Sequence, residues 1–280
     1  MKITYYFSQC FRDMTKYRKV WSQIENALQE QNESYDFIAN ANDIWARDFM
    51  PFQRHDGNLV IYSYNPDYLQ GKRSKYITNC QDALLGIVGQ EVLSSSKCRF
   101  TSLVIDGGNM IKCWDKNGTP CVIMTTKVLY ENPKLSHKEI LSQLEDVLNA
   151  EIILIPWDTN EEYGHADGMV RSIEKGRLLI NCYTDMDAEL GMVLKKALGE
   201  RFELQELHYG SKLQENSWCH LNFLELSDAI LVPVANLTSD SLALKQIEKV
   251  YKKKCIPISM ESVILNDGAM HCISWALEER

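Results

Sequence analysis

Short apolar runs alternate along this chain with segments whose apolar residues recur every three or four positions. Those two periods separate strands from amphipathic helices. Residues 1–7 read as a strand, and Trp21, Ile24 and Leu28 mark the inner face of the helix that follows. Further strands are predicted over 35–39, 59–63, 103–105, 110–114, 121–125, 151–156, 168–173, 178–183, 221–226, 229–234 and 255–259. Helices are predicted over 80–93, 136–148, 187–198 and 242–253. The second of these four opens on Ser136 with Glu139 three residues on, a reciprocal capping arrangement.

Strand–helix–strand units interspersed with hairpins imply an α/β fold. The pattern alone leaves open whether the strands form one doubly wound sheet or several small sheets around an axis. The units differ too much in sequence to register as an internal repeat. No linker rich in Gly, Pro or Ser divides the chain, so residues 1–280 are read as one domain.

Composition narrows the class. With 45% hydrophobic and 24% charged residues the chain has the balance of an ordinary globular protein. Its formal net charge of −8 disfavours nucleic-acid phosphates and favours cationic ligands. The first ten residues lack the apolar core of a signal peptide, and no run of about 20 apolar residues could span a membrane. A cytoplasmic location without membrane or nucleic-acid partners is the resulting expectation. Nine cysteines are present without any CxxC pair or zinc-like spacing. Most lie in apolar stretches, where a cysteine is a small buried hydrophobe.

Four segments interrupt the apolar pattern with charged or reactive residues: Trp45-Ala46-Arg47-Asp48-Phe49-Met50-Pro51, Asp106-Gly107-Gly108-Asn109, Gly164-His165-Ala166-Asp167-Gly168 and Gly268-Ala269-Met270-His271-Cys272-Ile273-Ser274. Singly, each has a structural account: a surface ion pair, a tight glycine turn, a polar strand end. Together they make chemical sense. If residues 165–167 are extended, His165 and Asp167 face one side. A thiol near pKa 8.5 needs a neighbouring imidazolium or bound cation to become a thiolate. With Asp48 and Asp106 in the same cleft, one nucleophile, one acid/base and three carboxylates would suit a planar guanidinium, whose N–H donors pair with carboxylates. His271 is not chosen as the base, because adjacent side chains of an extended segment face opposite ways.

These segments resemble the agmatine deiminase and bacterial peptidylarginine deiminase family of guanidino-group-modifying enzymes. Trp45–Pro51 is similar to its Trp-x-Arg-Asp-x-x-Pro element, with Met50 in place of the usual Gly. Asp106-Gly107-Gly108 is similar to its Glu-Gly-Gly turn, and Gly164–Asp167 matches its Gly-His-x-Asp element outright. Gly268–Ser274 resembles the carboxy-terminal Gly-x-x-His-Cys-x-Thr element, and Cys219–Phe223 its Ser-Tyr-x-Asn-Phe segment. The resemblance runs from about residue 40 to 275.

The resemblance implies a pentein-type α/β propeller with about fivefold pseudosymmetry, a single catalytic domain over 1–280, and a site in the central cavity. It implies that Cys272 attacks the guanidinium carbon and that His165 protonates departing ammonia, then activates water. Asp48 and Asp167 hold the guanidinium nitrogens, Asp106 is a further substrate-binding carboxylate, and Trp45, Arg47 and Gly108 stand beside the substrate. No metal or organic cofactor is needed on this route. The expected reaction is hydrolysis of agmatine to N-carbamoylputrescine and ammonia. Free or peptidyl arginine as substrate, amidino transfer to an amine, and cation binding without catalysis are the alternatives. The subunit number, a homo-oligomer included, is left open. The chain is shorter than typical agmatine deiminases, so loops over the substrate tail are expected to be reduced.

Overall fold

The computed structural model describes residues 2–158, 162–210 and 217–279; Met1, at the head of the first predicted strand, lies outside them. Among the described residues there are five three-stranded sheets, and all follow one plan. The middle strand pairs antiparallel with one neighbour and parallel with the other. A helix joins the two parallel strands, as a parallel crossover requires. Four of these units are continuous in sequence. The fifth is assembled from both ends of the chain: Ser274–Glu279 pairs antiparallel with Lys2–Ser8, which crosses through the Arg18–Glu30 helix to the parallel strand Ser34–Ile38.

Burial explains which strands are apolar. The middle strands Leu59–Ser63, Pro120–Thr125, Arg177–Asn181 and Ala229–Val234 are buried along nearly their whole length. They are covered on both faces, so they read as continuous apolar runs. The third strands, such as Ser34–Ile38 and Glu203–Leu207, alternate exposed and half-buried positions. Two of the first strands, Phe52–Gln53 and Leu224–Glu225, are only two residues each.

The crossover helices bury one stripe each. In Arg18–Glu30 that stripe includes Trp21, Ile24 and Leu28, as the spacing predicted. The His137–Leu148 helix has the expected capping box, with Ser136 accepting from Glu139 N and Glu139 accepting from Ser136 N. The Cys80–Leu93 helix is interrupted at Gly89, whose φ of 77° leaves the helical region.

The pseudo-fivefold pentein architecture is therefore present, built of ββαβ units. Three expectations need correction. The 103–105 strand is the end of a longer one, Cys98–Val104. The predicted 221–226 strand is a one-turn helix, Ser217–Leu221, followed by Leu224–Glu225. Glu203–Leu207 and the ring-closing Ser274–Glu279 are further strands, whose charged residues hide a half-buried strand in the sequence pattern. No helix among the described residues is long and apolar enough to cross a membrane.

Candidate active site

The polar segments occupy equivalent places. Each lies where one unit ends and the next begins, between a third strand and the following first strand. The chain makes a single tight turn there: Ala46–Phe49, Gly107–Asn109, Ala166–Gly168, Ser217–Leu221 and the turn over 269–273. Neighbouring turns are tied together. Arg47 N donates to Cys272 O, Gly108 N to Asp48 Oδ1, and His271 N to Asn222 O. The pseudosymmetry thus gathers one short turn per unit around a common axis.

This corrects the local geometry expected for two motifs. His165 has extended backbone, but Asp167 lies inside a single 3-10 turn, so strand alternation does not set their relation. His271 and Cys272 also sit in a turn, and both reach Asp167. His271 Nδ1 is 2.5 Å from Asp167 Oδ2. Cys272 Sγ is 3.8 Å from the same oxygen and 3.3 Å from Asn222 Oδ1.

His165 is bracketed by the other two acids. Its Nε2 lies 2.9 Å from Asp106 Oδ2, and its Nδ1 lies 3.6 Å from Asp48 Oδ1. Tyr68 donates its hydroxyl to Asp106 Oδ2 at 2.8 Å. Gly108 permits this closeness, since a Cβ there would come within 2.7 Å of both Asp48 Oδ1 and His165 Nδ1.

Two clefts of about 410 Å³ each meet at Tyr163, His165, Asp267 and Cys272. Asp167, Asn222 and Trp218 line the first; Asp48 and Trp45 line the second. Trp45 is seated against Gly268, where a Cβ would strike its ring at 2.1 Å. Asp106, Gly108 and Arg47 line neither cleft. Asp106 is turned to His165 rather than to the open space, and Arg47 faces the other side of the ring with Arg171.

Burial and neighbouring charge set the protonation states. Burial opposes charging His165, but Asp48 and the bond to Asp106 outweigh it and hold its pKa well above 6.5. Burial, reinforced by Asp106 and Asp167, pushes Asp48 up to about 7. Asp167 goes the other way: burial disfavours its charge, yet the hydrogen bond from His271 brings it down to about 2. His271 is held well below 6.5 by burial and by the charges of Arg171 and Arg47. A neutral His271 with its proton on Nδ1, donating to the Asp167 carboxylate, satisfies both. Burial, Asp167 and Asp48 push the Cys272 thiol well above 9.

Asn222 was not singled out in the sequence. Its Oδ1 accepts from His271 N and Cys272 N as well as from the thiol, and its Nδ2 is buried without a partner. Its only trace in sequence was its place in the Cys219–Phe223 segment. Among the described residues, no three His, Cys, Asp or Glu side chains are grouped to hold a metal ion.

A ring of five ββαβ units with a cysteine, a histidine and acids at its centre defines the guanidino-group-modifying class. Residues 2–277 match the Porphyromonas-type peptidyl-arginine deiminase family, and the chain belongs to that family. It is accordingly a C–N hydrolase of guanidino groups. It is 24% identical to a Lactococcus lactis subsp. lactis protein provisionally named an agmatine deiminase, over 88% of this chain and 79% of that one. The fold is similar to an Enterococcus faecalis agmatine deiminase structure (TM-score 0.74, 20% identity, 100% and 93% of the two chains covered). It is also similar to a C. jejuni agmatine deiminase (TM-score 0.71, 16% identity, 98% and 93% covered).

Proposed function

We propose that this cysteine-dependent deiminase acts on a small guanidine with a cationic tail, agmatine being the best fit. The observation that carries this reading is the charge of the cleft beside Cys272. Among its described lining residues are Asp158, Glu162, Asp167 and Asp267, with neither lysine nor arginine. Of these, Glu162 is paired at 3.1 Å with Arg73 of the adjoining cleft, and the other three set the sign of the wall. Such a wall favours an ammonium tail and disfavours an α-carboxylate.

In the proposed reaction Asp48 and Asp167 grip the guanidinium nitrogens, and Cys272 releases its thiol proton to solvent as the cation binds. The Sγ thiolate attacks the central carbon while the C–N π pair moves onto nitrogen. The imidazolium of His165 gives its proton to the departing ammonia. The neutral imidazole then takes a proton from water as that water attacks the S-linked amidino carbon. Collapse of this adduct returns the thiol and releases the ureido product. Asp106 acts here by orienting His165 and supporting its charge, a role different from the direct substrate contact first expected. Because all five junctions serve this one centre, residues 1–280 are read as a single catalytic domain.

A second reading takes arginine as substrate, since the adjoining cleft carries Lys16 and Arg73, which could meet a carboxylate. Ammonia and ureido product should be measured with agmatine, free arginine and an arginine peptide blocked at both ends. The proposal expects kcat/KM for agmatine to exceed the others by at least tenfold. No turnover of agmatine at millimolar concentration removes it.

A further inference from the structure

The ring has a second opening, away from Cys272. A cavity of about 280 Å³ lies among the five first strands, and it shares no lining residue with either catalytic cleft. Gln53, Lys112, Arg171, Glu225 and Glu278 come one from each of these strands. The cavity is therefore the other end of the pseudosymmetry axis. Arg47 and His271 reach it from the turns whose next residues, Asp48 and Cys272, face the clefts.

The guanidinium groups of Arg47 and Arg171 both line this cavity, and neither is hydrogen-bonded to an acid among the described residues. Arg171 lies over the Phe223 ring at 4.5 Å, a contact that uses its face and leaves its N–H edge free. Arg171 Nη1 and Arg47 Nε are buried and have no hydrogen-bond partner in the protein. The cavity's two carboxylates are already engaged: Glu225 by Lys253 at 2.8 Å, and Glu278 by Lys112 at 3.6 Å. Burial and the neighbouring Arg171 bring the Arg47 guanidinium down to about 10, the direction expected of crowded cations. Asp167 and Asp48 attract Arg47 from a distance, but they leave its Nε–H unmade. Unpaired buried charge and unmade donors are both costly.

We propose that Arg47 and Arg171 form a binding site for a small oxyanion, a carboxylate or a phosphate group, in the axial cavity opposite Cys272. A planar guanidinium edge matches the paired oxygens of such a group. The occupant would meet the parts of the two guanidinium groups that line the cavity and offset the positive charge beside His271. Since His271 touches Asp167, occupancy would be felt at the catalytic end of the axis. This site stands independently of which guanidine the enzyme hydrolyses.

Titration calorimetry on the full chain tests it, with inorganic phosphate and with acetate in separate arms at ionic strength fixed by chloride. Saturable one-to-one binding of at least one anion is expected, and the arm that binds identifies the group. Arg171→Gln should weaken that binding at least tenfold. Arg171→Lys, which keeps the charge and loses the fork, should weaken it severalfold and serves if circular dichroism shows the first variant unfolded. No saturable binding of either anion to the wild type, or binding unchanged by substitution at Arg171, overturns the proposal.

Discussion

A thiol buried beside two carboxylates is a poor nucleophile until something positive arrives. Asp167 and Asp48 oppose ionisation of Cys272 in the free protein. A guanidinium seated between them would reverse the sign of the local field, so the substrate itself would help expose the nucleophile. Asp48 carries the cost of this arrangement. Its folded pKa of about 7 lies above the ordinary 3.8, so the folded state holds a proton there that the unfolded chain has lost. Its contribution to stability therefore falls as pH rises from about 4 to 7 and stays low above that. Asp48→Asn removes the titration. Thermal unfolding should show the variant more stable than wild type at pH 7 to 8, with the gap closing towards pH 4. Its kcat/KM should fall on the order of 100-fold, since a gripping carboxylate is gone.

At the scale of elements, the site is made of turns, and turns are fixed by what lies beside them. Gly108 has no exceptional backbone angle to explain it; it is needed because Asp48 and His165 approach where a Cβ would stand. Gly108→Ala should push the imidazole off its line between Asp48 and Asp106. Steady-state kinetics should show kcat reduced on the order of 100-fold. A fall of less than threefold would mean that this close approach is unimportant. The motif residues were legible because chemistry-bearing types stood beside glycines. Their partners were less so. Whether Asp106 meets substrate or His165 depends on a side-chain direction that no spacing encodes. The His271–Asp167 bond spans 104 positions and arises from a turn where a strand was assumed. Asn222 gave no local sign of its role, because a buried amide anchoring a turn looks like any loop asparagine.

The whole molecule is a ring closed by its two ends. Middle strands were easy to read, since burial on both faces demands unbroken apolar runs. The ring was not, because the five units share a plan of contacts while their sequences diverge. The closing strand Ser274–Glu279 was hidden by its acidic residues. Trp275 secures that closure: it is buried at 2% exposure, and its indole donates to Pro51 O at 2.7 Å. Trp275→Ala should destabilise the protein by about 3–5 kcal/mol through the cavity it leaves. Chemical denaturation should report this as a lower midpoint. Activity should fail together with folding, because Cys272 lies two residues before the same strand.

The geometry of the ring has one chemical consequence that outweighs the rest, the attack of Cys272 on a guanidinium carbon. It is tested most directly by ammonia release from Cys272→Ala, using whichever guanidine the wild type hydrolyses and confirming the fold by circular dichroism. The account predicts a rate lower by a factor on the order of 1000 or more. A folded variant that releases ammonia at close to the wild-type rate would contradict it.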